Sequence, residues 1–449
     1  MKIIVAGAGE VGLSIAEKLS REKEDVVVID CSQERLDAVS DSIDVQTICG
    51  SAVRPQILVE AGIREADLLV AVTSNDEHNL LACRLAQILA PEVRRAARVR
   101  DSSFLEELNQ TGVLEGLGVT LIIDPTTLVV DTIMDFLDIP GAGDVIDVSG
   151  GRLKLIGLRL SRTHHCIGQT LAEALPREDG YHILIVAIYR NHELLIPQGD
   201  TVMKGGDLMY LAATPEHLPQ VSEFFGIDWR PVKTVFILGG GEVGLTLARR
   251  LEERDLAVKL FEKDVERSTF LSQELTRTIV LKGDATDQDL LEEEGIADCD
   301  VFIAVGTDDE KNMIACLIAK RLGVPSTITR VNRYNYVPLV SAIGLESLVS
   351  ARVAAVSAVL KHIRKGLVIS VATLKNEDAE IIEVEVPEKS RLAGMTFSQA
   401  KFPSGTIVAA LLRNSEVIIP RGQTSILAGD ILAVVTRFES IEHLNKILS

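Results

Sequence analysis

The sequence predicts an α/β protein built twice: two doubly wound parallel-sheet domains, each followed by a small α+β lobe. Three observations in the 449 residues carry this expectation. A glycine turn, GAGEVG at Gly7–Gly12, returns as GGGEVG at Gly239–Gly244, 232 residues further on. After each turn, short apolar runs alternate with amphipathic segments, the pattern of strands joined by crossover helices. Apolar residues make up 47% of the chain and aromatics only 4%. The cores must therefore be Val, Ile, Leu and Ala, which suits parallel strands covered by helices on both faces.

The repeat continues in order along both halves. VVVID ending at Asp30 corresponds to AVKLFE ending at Glu262, and CGSAVRPQILVEAGI (49–63) to KGDATDQDLLEEEGI (282–296). ADLLVAVTSNDEHNLLAC (66–83) corresponds to CDVFIAVGTDDEKNMIAC (299–316), and RVR (98–100) to RVN (330–332). LLIPQGDTVMKGGD (194–207) then matches VIIPRGQTSILAGD (417–430). Chance supplies one such pair, not an ordered series. In the first large unit, runs at 2–6, 26–30, 45–48, 68–72 and 97–99 read as strands, and EVGLSIAEKLSRE (10–22) has helical spacing. In the first small unit, YHILIVAIYRNHELLIP (181–197) reads as a hairpin and EHLPQVSEFF (216–225) as a short helix. The expected division is 1–138 and 232–366 for the sheet domains, with 139–226 and 367–449 for the lobes. GIDWRPVK (226–233), which holds the only Trp, is the expected junction between halves, with smaller joints near 138–144 and 361–366.

Composition narrows the function. With 46 basic and 65 acidic side chains the net charge is −19, the wrong sign for a nucleic-acid binder. No apolar run approaches the roughly 18 residues of a membrane span, and glycines interrupt the N-terminal run too early for a signal peptide. A soluble cytoplasmic chain is expected. The six cysteines form no CxxC pair and read as reduced thiols, with Cys83 and Cys316 at matched core-facing places. His164-His165 does not have metal-pair spacing. No metal site and no catalytic residue is predicted.

Each glycine motif follows an apolar strand and opens a helix, the context in which it binds a dinucleotide in a Rossmann-like domain. Gly7 and Gly239 permit the tight turn. Gly9 and Gly241 leave room for a pyrophosphate, and Gly12 and Gly244 let helix and strand approach. Ala8, Glu10, Val11, Glu242 and Val243 complete the two turns, whose free amides and partial positive charge face phosphate. Asp30 and Glu262 end the second strands, where a carboxylate accepts both ribose hydroxyls and repels a 2′-phosphate. NAD or NADH is therefore expected over NADP(H), with ADP and ATP as further ligands. Glu10 and Glu242 disfavour extra negative charge beside the phosphates unless a cation or arginine intervenes. Asp284 offers a carboxylate to an adenine amine where the first copy has Ser51, so the two clefts are expected to differ. Ser74, Asn75, Thr307 and Asp308 follow the fourth strands, where they either cap helices or touch ligand. Arg98 and Arg330 either reach phosphate or brace an acidic neighbour.

These residues resemble a known family. GAGEVG, VVVID, GSAVRP, AVTSNDEHN and ARVR, with their second copies, are similar to the regulator of conductance of potassium (RCK, or KTN) fold. IPQGDT and IPRGQT resemble its C-terminal lobe. Two such pairs in one chain resemble the TrkA family of nucleotide-binding subunits of Trk potassium uptake systems. The resemblance implies a cytosolic homotetrameric ring that meets the membrane only through a TrkH- or TrkG-type potassium channel subunit, and that shifts conformation with NAD(H) or adenine nucleotide. The single-copy Ktr relatives meet ATP with an arginine between the second and third glycines. Glu10 and Glu242 stand there instead, so Ktr-like ATP recognition is not implied.

An NAD-dependent oxidoreductase is the alternative. It needs an acid or base facing the nicotinamide. The histidines fall mostly in the first half without counterparts in the second, and no GxSxG, HExxH or P-loop lysine is present. The sequence favours a binding switch over an enzyme.

Overall fold

The structure is a computed structural model. It describes every residue except 176–182, 192, 228–229, 334–335, 346, 364–367, 375–378, 415, 438–439, 441–442, 445–446 and 448–449. Trp229 of the expected junction, His182, His192 and part of the 361–366 joint lie outside the described residues.

The first sheet contains β1 (Lys2–Ala6), β2 (Asp25–Asp30), β3 (Gln46–Cys49), β4 (Leu68–Ala71), β5 (Arg94–Arg98) and β6 (Leu121–Ile123). All pair in parallel, in the order β3-β2-β1-β4-β5-β6. Successive residues feed opposite faces. Ile3, Val5, Val26, Val28, Leu68 and Val70 enter one core, while Ile4, Ala6, Val27, Ile29, Leu69 and Ala71 enter the other. Alternation between two apolar faces is what a doubly wound sheet demands.

Two strands differ from expectation. β5 starts at Arg94 rather than near 97, because Arg95 hides a strand start behind a charge. Arg95 is buried, and its guanidinium donates to the carbonyls of Pro91, Val93 and Gly118. β6, only three residues long, is not among the strands the sequence predicts.

The first lobe is a five-stranded antiparallel sheet of β7 (Asp144–Val148), β8 (Leu153–Arg159), β9 (Leu184–Arg190), β10 (Glu193–Leu195) and β11 (Leu208–Ala213), in the order β10-β9-β11-β8-β7. The expected hairpin is β9 and β10, with Arg190 opposite Glu193. The expected helix is a short 3-10 turn followed by Leu218–Phe225.

The second parallel sheet repeats the first with β12 (Thr234–Leu238), β13 (Ala257–Glu262), β14 (Ile279–Lys282), β15 (Val301–Ala304), β16 (Ser326–Arg330) and β17 (Ser347–Val349), in the order β14-β13-β12-β15-β16-β17. The second lobe repeats the first with β18 (Val368–Thr373), β19 (Ala379–Glu385), β20 (Thr406–Arg413), β21 (Glu416–Ile418) and β22 (Ile431–Arg437), in the order β18-β19-β22-β20-β21.

The chain divides into two compact units that do not follow the repeat. One is Met1–Asp131 with Ser350–Ile363; the other is Thr132–Val349 with Arg364–Ser449. In the first unit, the helix Ala351–Ile363, which belongs to the second copy, completes the core of the first sheet. Its Ala355, Val356, Val359 and Leu360 form a helical stripe against Ile15 and Leu19 of the glycine-turn helix and the β1 and β2 side chains. Arg94 donates to the carbonyl of His362, and Thr120 Oγ1 meets His362 Nε2 at 3.1 Å, so the helix is fastened at its end as well.

In the second unit, the end of the helix Pro125–Asp138 meets the second sheet domain. Asp138 pairs with Arg254 at 2.9 Å, and Ala142 O accepts from Ser347 Oγ at 2.6 Å. Also in this unit, Leu155, Val186 and Ala212 of one lobe share a core with Ile381, Ala409 and Val435 of the other.

Each lobe carries the same buried ion pair. Arg190 donates Nε and Nη2 to the two carboxylate oxygens of Asp207 at 2.8 and 2.7 Å, and Arg413 does the same to Asp430 at the same distances. Lys204 N and Leu427 N close the two arrangements. Asp207 and Asp430 are each 2% exposed, so removing the carboxylate strands a partly buried guanidinium. Asp207→Ala and Asp430→Ala are each expected to cost about 3 kcal/mol of stability, read as a lower denaturant midpoint.

Asp135 in the second unit is a weak point. Burial, with Asp147 and then Asp138 nearby, pushes its carboxyl up to about 6, although Lys154 lies 3.5 Å away and 2.9 Å from Asp147. An unfolded Asp titrates near 3.9, so the stabilisation from protonating native Asp135 is complete below that value and is lost as pH rises through about 6. Asp135→Asn is expected to raise the urea midpoint above wild type at pH 7.5, with the difference closing by about pH 4.

Candidate nucleotide-binding clefts

The three glycines of each turn do separate work. Gly7 has φ +113 and Gly239 φ +105, conformations that L side chains rarely adopt. A Cβ on Gly12 would lie 1.8 Å from Gly7 O, and one on Gly244 would lie 1.9 Å from Gly239 O. These contacts bring the helix start against the strand end. At Gly9 and Gly241 the backbone is ordinary, and a Cβ would meet no atom within 4 Å. The fold does not require glycine there; a ligand seated on the helix N-terminus would. The first helical bond in each copy is Leu13 N to Gly9 O or Leu245 N to Gly241 O, leaving the amides of residues 10–12 and 242–244 ahead of it. Glu10, Val11, Glu242 and Val243 therefore lie at the expected phosphate seat.

Asp30 and Glu262 stand at the strand ends as expected, and each has a structural role there that the sequence does not show. Asp30 Oδ2 accepts from Ala8 N at 2.7 Å and Oδ1 from Ser32 N at 2.9 Å. Glu262 Oε2 accepts from Gly240 N and Oε1 from Asp264 N, both at 2.9 Å. Each carboxylate braces the glycine turn through one oxygen and the start of the following helix through the other, and keeps acceptor capacity on both. Beside Asp30 an open depression of about 590 Å³ is lined by Cys31, Ser32, Glu34, Arg35 and Ala38.

The remaining residues sort by copy. Asn75 and Asp308 cap the following helices, accepting from His78 N at 2.6 Å and Lys311 N at 3.0 Å, while Ser74 and Thr307 are exposed beside them. Asp284 is engaged locally: its Oδ1 accepts from Thr286 Oγ1 at 2.7 Å, which holds its carboxyl below the usual range. Ser51 accepts at its backbone carbonyl from Arg54 N.

Arg98 and Arg330 end β5 and β16, and burial lowers both guanidinium pKa values. Arg98 Nη2 donates to Thr73 O at 2.8 Å and Arg330 Nη1 to Val305 O at 3.4 Å, while both Nε atoms are buried without a partner. Neither arginine braces a carboxylate through a direct contact. Each copy thus carries a buried cationic donor without a partner at the carboxyl end of its fifth strand, a group that fits an anionic ligand.

Cys83 and Cys316 are buried core thiols pushed up to about 12 by that burial, as their matched places predict. His164, His165 and Cys166 bring ligand atoms within 4.8 Å of one another. Both ring nitrogens of His164 are engaged, Nε2 with Phe224 O at 2.7 Å and Nδ1 with Cys166 N at 3.3 Å. No described helix is long and apolar enough to cross a membrane.

The TrkA-N domain family matches residues 3–124 and 235–351, and the TrkA-C domain family matches 155–226 and 381–449. The chain belongs to the TrkA family.

Similar family members include the Trk system potassium uptake proteins TrkA of Halomonas elongata, 35% identical with 100% of this chain and 99% of that one covered, and of Haemophilus influenzae, 36% identical over 97% and 95%. A TrkA homolog of Archaeoglobus fulgidus is 33% identical over the whole of both chains. Among solved structures, the GsuK RCK domain aligns with TM-score 0.59 at 20% identity, covering 100% of this chain and 94% of that one. The GsuK channel bound to NAD aligns with TM-score 0.59 at 19% identity, covering 100% and 78%. At that identity the likeness establishes the fold, so this TrkA family member carries an RCK architecture.

The glycine geometry yields a contrast. Gly12→Ala is expected to destabilise the protein by at least about 3 kcal/mol, because the added carbon strikes backbone. Gly9→Leu is expected to cost no more than about 1 kcal/mol while abolishing nucleotide binding in the first cleft. Chemical denaturation and calorimetric titration of the two variants check both.

Proposed function

We propose that this chain is the nucleotide-responsive regulatory subunit of a Trk-type potassium uptake system. In this reading residues 1–138 and 232–366 are RCK nucleotide-binding domains and 139–226 and 367–449 their lobes. The protein forms a homotetrameric ring at the cytoplasmic face of the membrane, docked on a TrkH- or TrkG-type subunit. NAD or NADH, with ADP and ATP as competitors, occupies the two clefts and shifts the ring between states of different affinity, which biases the channel. The ligand is sensed, not transformed.

One observation carries the reading. In both copies a carboxylate at the end of the second strand holds the glycine turn open toward a wall with no side chain at the second glycine. That arrangement offers a diol acceptor and a diphosphate seat side by side, twice. The channel partner comes from family membership. GsuK has been solved with NAD and with ADP, which makes these ligands the first to try.

Calorimetric titration of NADH, NAD, ADP and ATP against the full chain tests the binding step. Asp30→Ala and Glu262→Ala are each expected to lower affinity at their own cleft by about tenfold or more, since a charged hydrogen-bond acceptor is lost. Reconstitution with a TrkH-type subunit should then make potassium flux nucleotide-dependent. No affinity for any of these compounds, or steady turnover of one with a second metabolite, overturns the proposal.

A further inference from the structure

The two clefts treat the glutamate after the second glycine differently. In the second cleft Glu242 Oε1 is held at 3.0 Å by Arg267 Nη2, and Arg267 Nε donates to Gly240 O at 2.7 Å. Arg267 lies on the helix Val265–Glu274 of the same copy. Its counterpart in the first copy, Arg35, is instead 3.9 Å from Asp30. In the first cleft Glu10 Oε2 receives Nη1 of Arg352 at 2.6 Å, an arginine contributed by the second copy. Arg352 Nε also donates to Ser14 Oγ, which in turn donates to Glu10 O at 2.9 Å. The guanidinium is therefore seated on the first turn of the helix that opens at the phosphate seat.

Arg352 is the second residue of the helix Ala351–Ile363. The second residue of the matching first-copy helix is Thr126, so the arginine has no equivalent in the other copy. Its side chain is 15% exposed, whereas that of Glu10 is 77% exposed. The anchored group is the cation and the movable one is the acid. A negative group arriving at the helix N-terminus meets Glu10 repulsively and Arg352 attractively. It displaces the first from the second if it brings more charge than Glu10 does.

We propose that Arg352 is a specificity-determining residue of the first nucleotide cleft. It exchanges Glu10 for the terminal phosphate of a nucleoside triphosphate, and stays with Glu10 when a dinucleotide is bound. This rests on the reading of the cleft as a nucleotide site. A dinucleotide diphosphate carries one charge per phosphorus and continues into a second ribose, giving Arg352 little reason to leave Glu10. A triphosphate ends in a group with three acceptor oxygens suited to a guanidinium fork. Arg352 also stands at the start of the helix that precedes the second lobe in the chain, so the exchange marks that helix according to which ligand is bound.

The test uses the full chain with Gly241→Leu blocking the second cleft, titrated calorimetrically with ATP and with NADH. Arg352→Gln is expected to weaken ATP about tenfold while NADH changes by less than about threefold. Arg352→Lys, which keeps the charge without the fork, should fall between. Glu10→Gln alters an exposed side chain, leaves Arg352 in place and should tighten ATP about tenfold over NADH, which keeps the inference testable should the arginine variants fold poorly. Equal effects on both ligands, or none, overturn it. Absence of binding by the parent chain overturns the nucleotide reading itself and this inference with it.

Discussion

At Gly12 there is room for a hydrogen atom and nothing larger. A carbon in its place would lie 1.8 Å from Gly7 O, and the second copy repeats the contact at 1.9 Å. That approach lets the first helix begin immediately over the end of the central strand. It fixes where the helix amides point and where the dipole ends. The carboxylates at the ends of β2 and β13 then reach across to the turn and hold it by a backbone amide. The start of the helix and the shape of the turn beneath it follow from one close contact made twice.

Holding the turn leaves room for a ligand, because a carboxylate has about four acceptor directions and Asp30 and Glu262 spend one on the turn and one on the start of the next helix. The arrangement is preorganised: the turn amides hold Asp30 and Glu262 in place, so the proposed ribose contact would not need to order them. Arg98 and Arg330 follow the same logic, with most of their desolvation incurred during folding. The cleft has been assembled at the expense of buried, incompletely satisfied donors, which proteins tolerate chiefly where a partner completes them.

Much of this was legible in the sequence, because local chemistry and local order coincide. The glycine spacing, the strand-end acids and the ordered repeat marked both glycine turns and their carboxylates, and alternating Val, Ile and Ala in runs such as VVVID marked strands buried on both faces. What stayed hidden depends on long-range packing. Arg94 and Arg95 disguised the start of β5, since a buried arginine donating to three carbonyls looks in sequence like any surface charge. The hydrogen bond that Asp284 Oδ1 accepts from Thr286 Oγ1 left no mark either. The brace between Asp30 and the turn, and the cross-copy position of the helix Ala351–Ile363, left no local mark, because similarity between repeats says what a segment is and not which core it enters. A comparison of Thr126 with Arg352 would have flagged the asymmetry without explaining it.

The helix lent by the second copy to the first core also bears on ancestry. Two identical subunits must carry the same residue at the start of this helix, because one gene writes both. Once the pair is fused into a single polypeptide, that obligation ends. Threonine can settle in one helix and arginine in the other, and each copy is free to drift on its own.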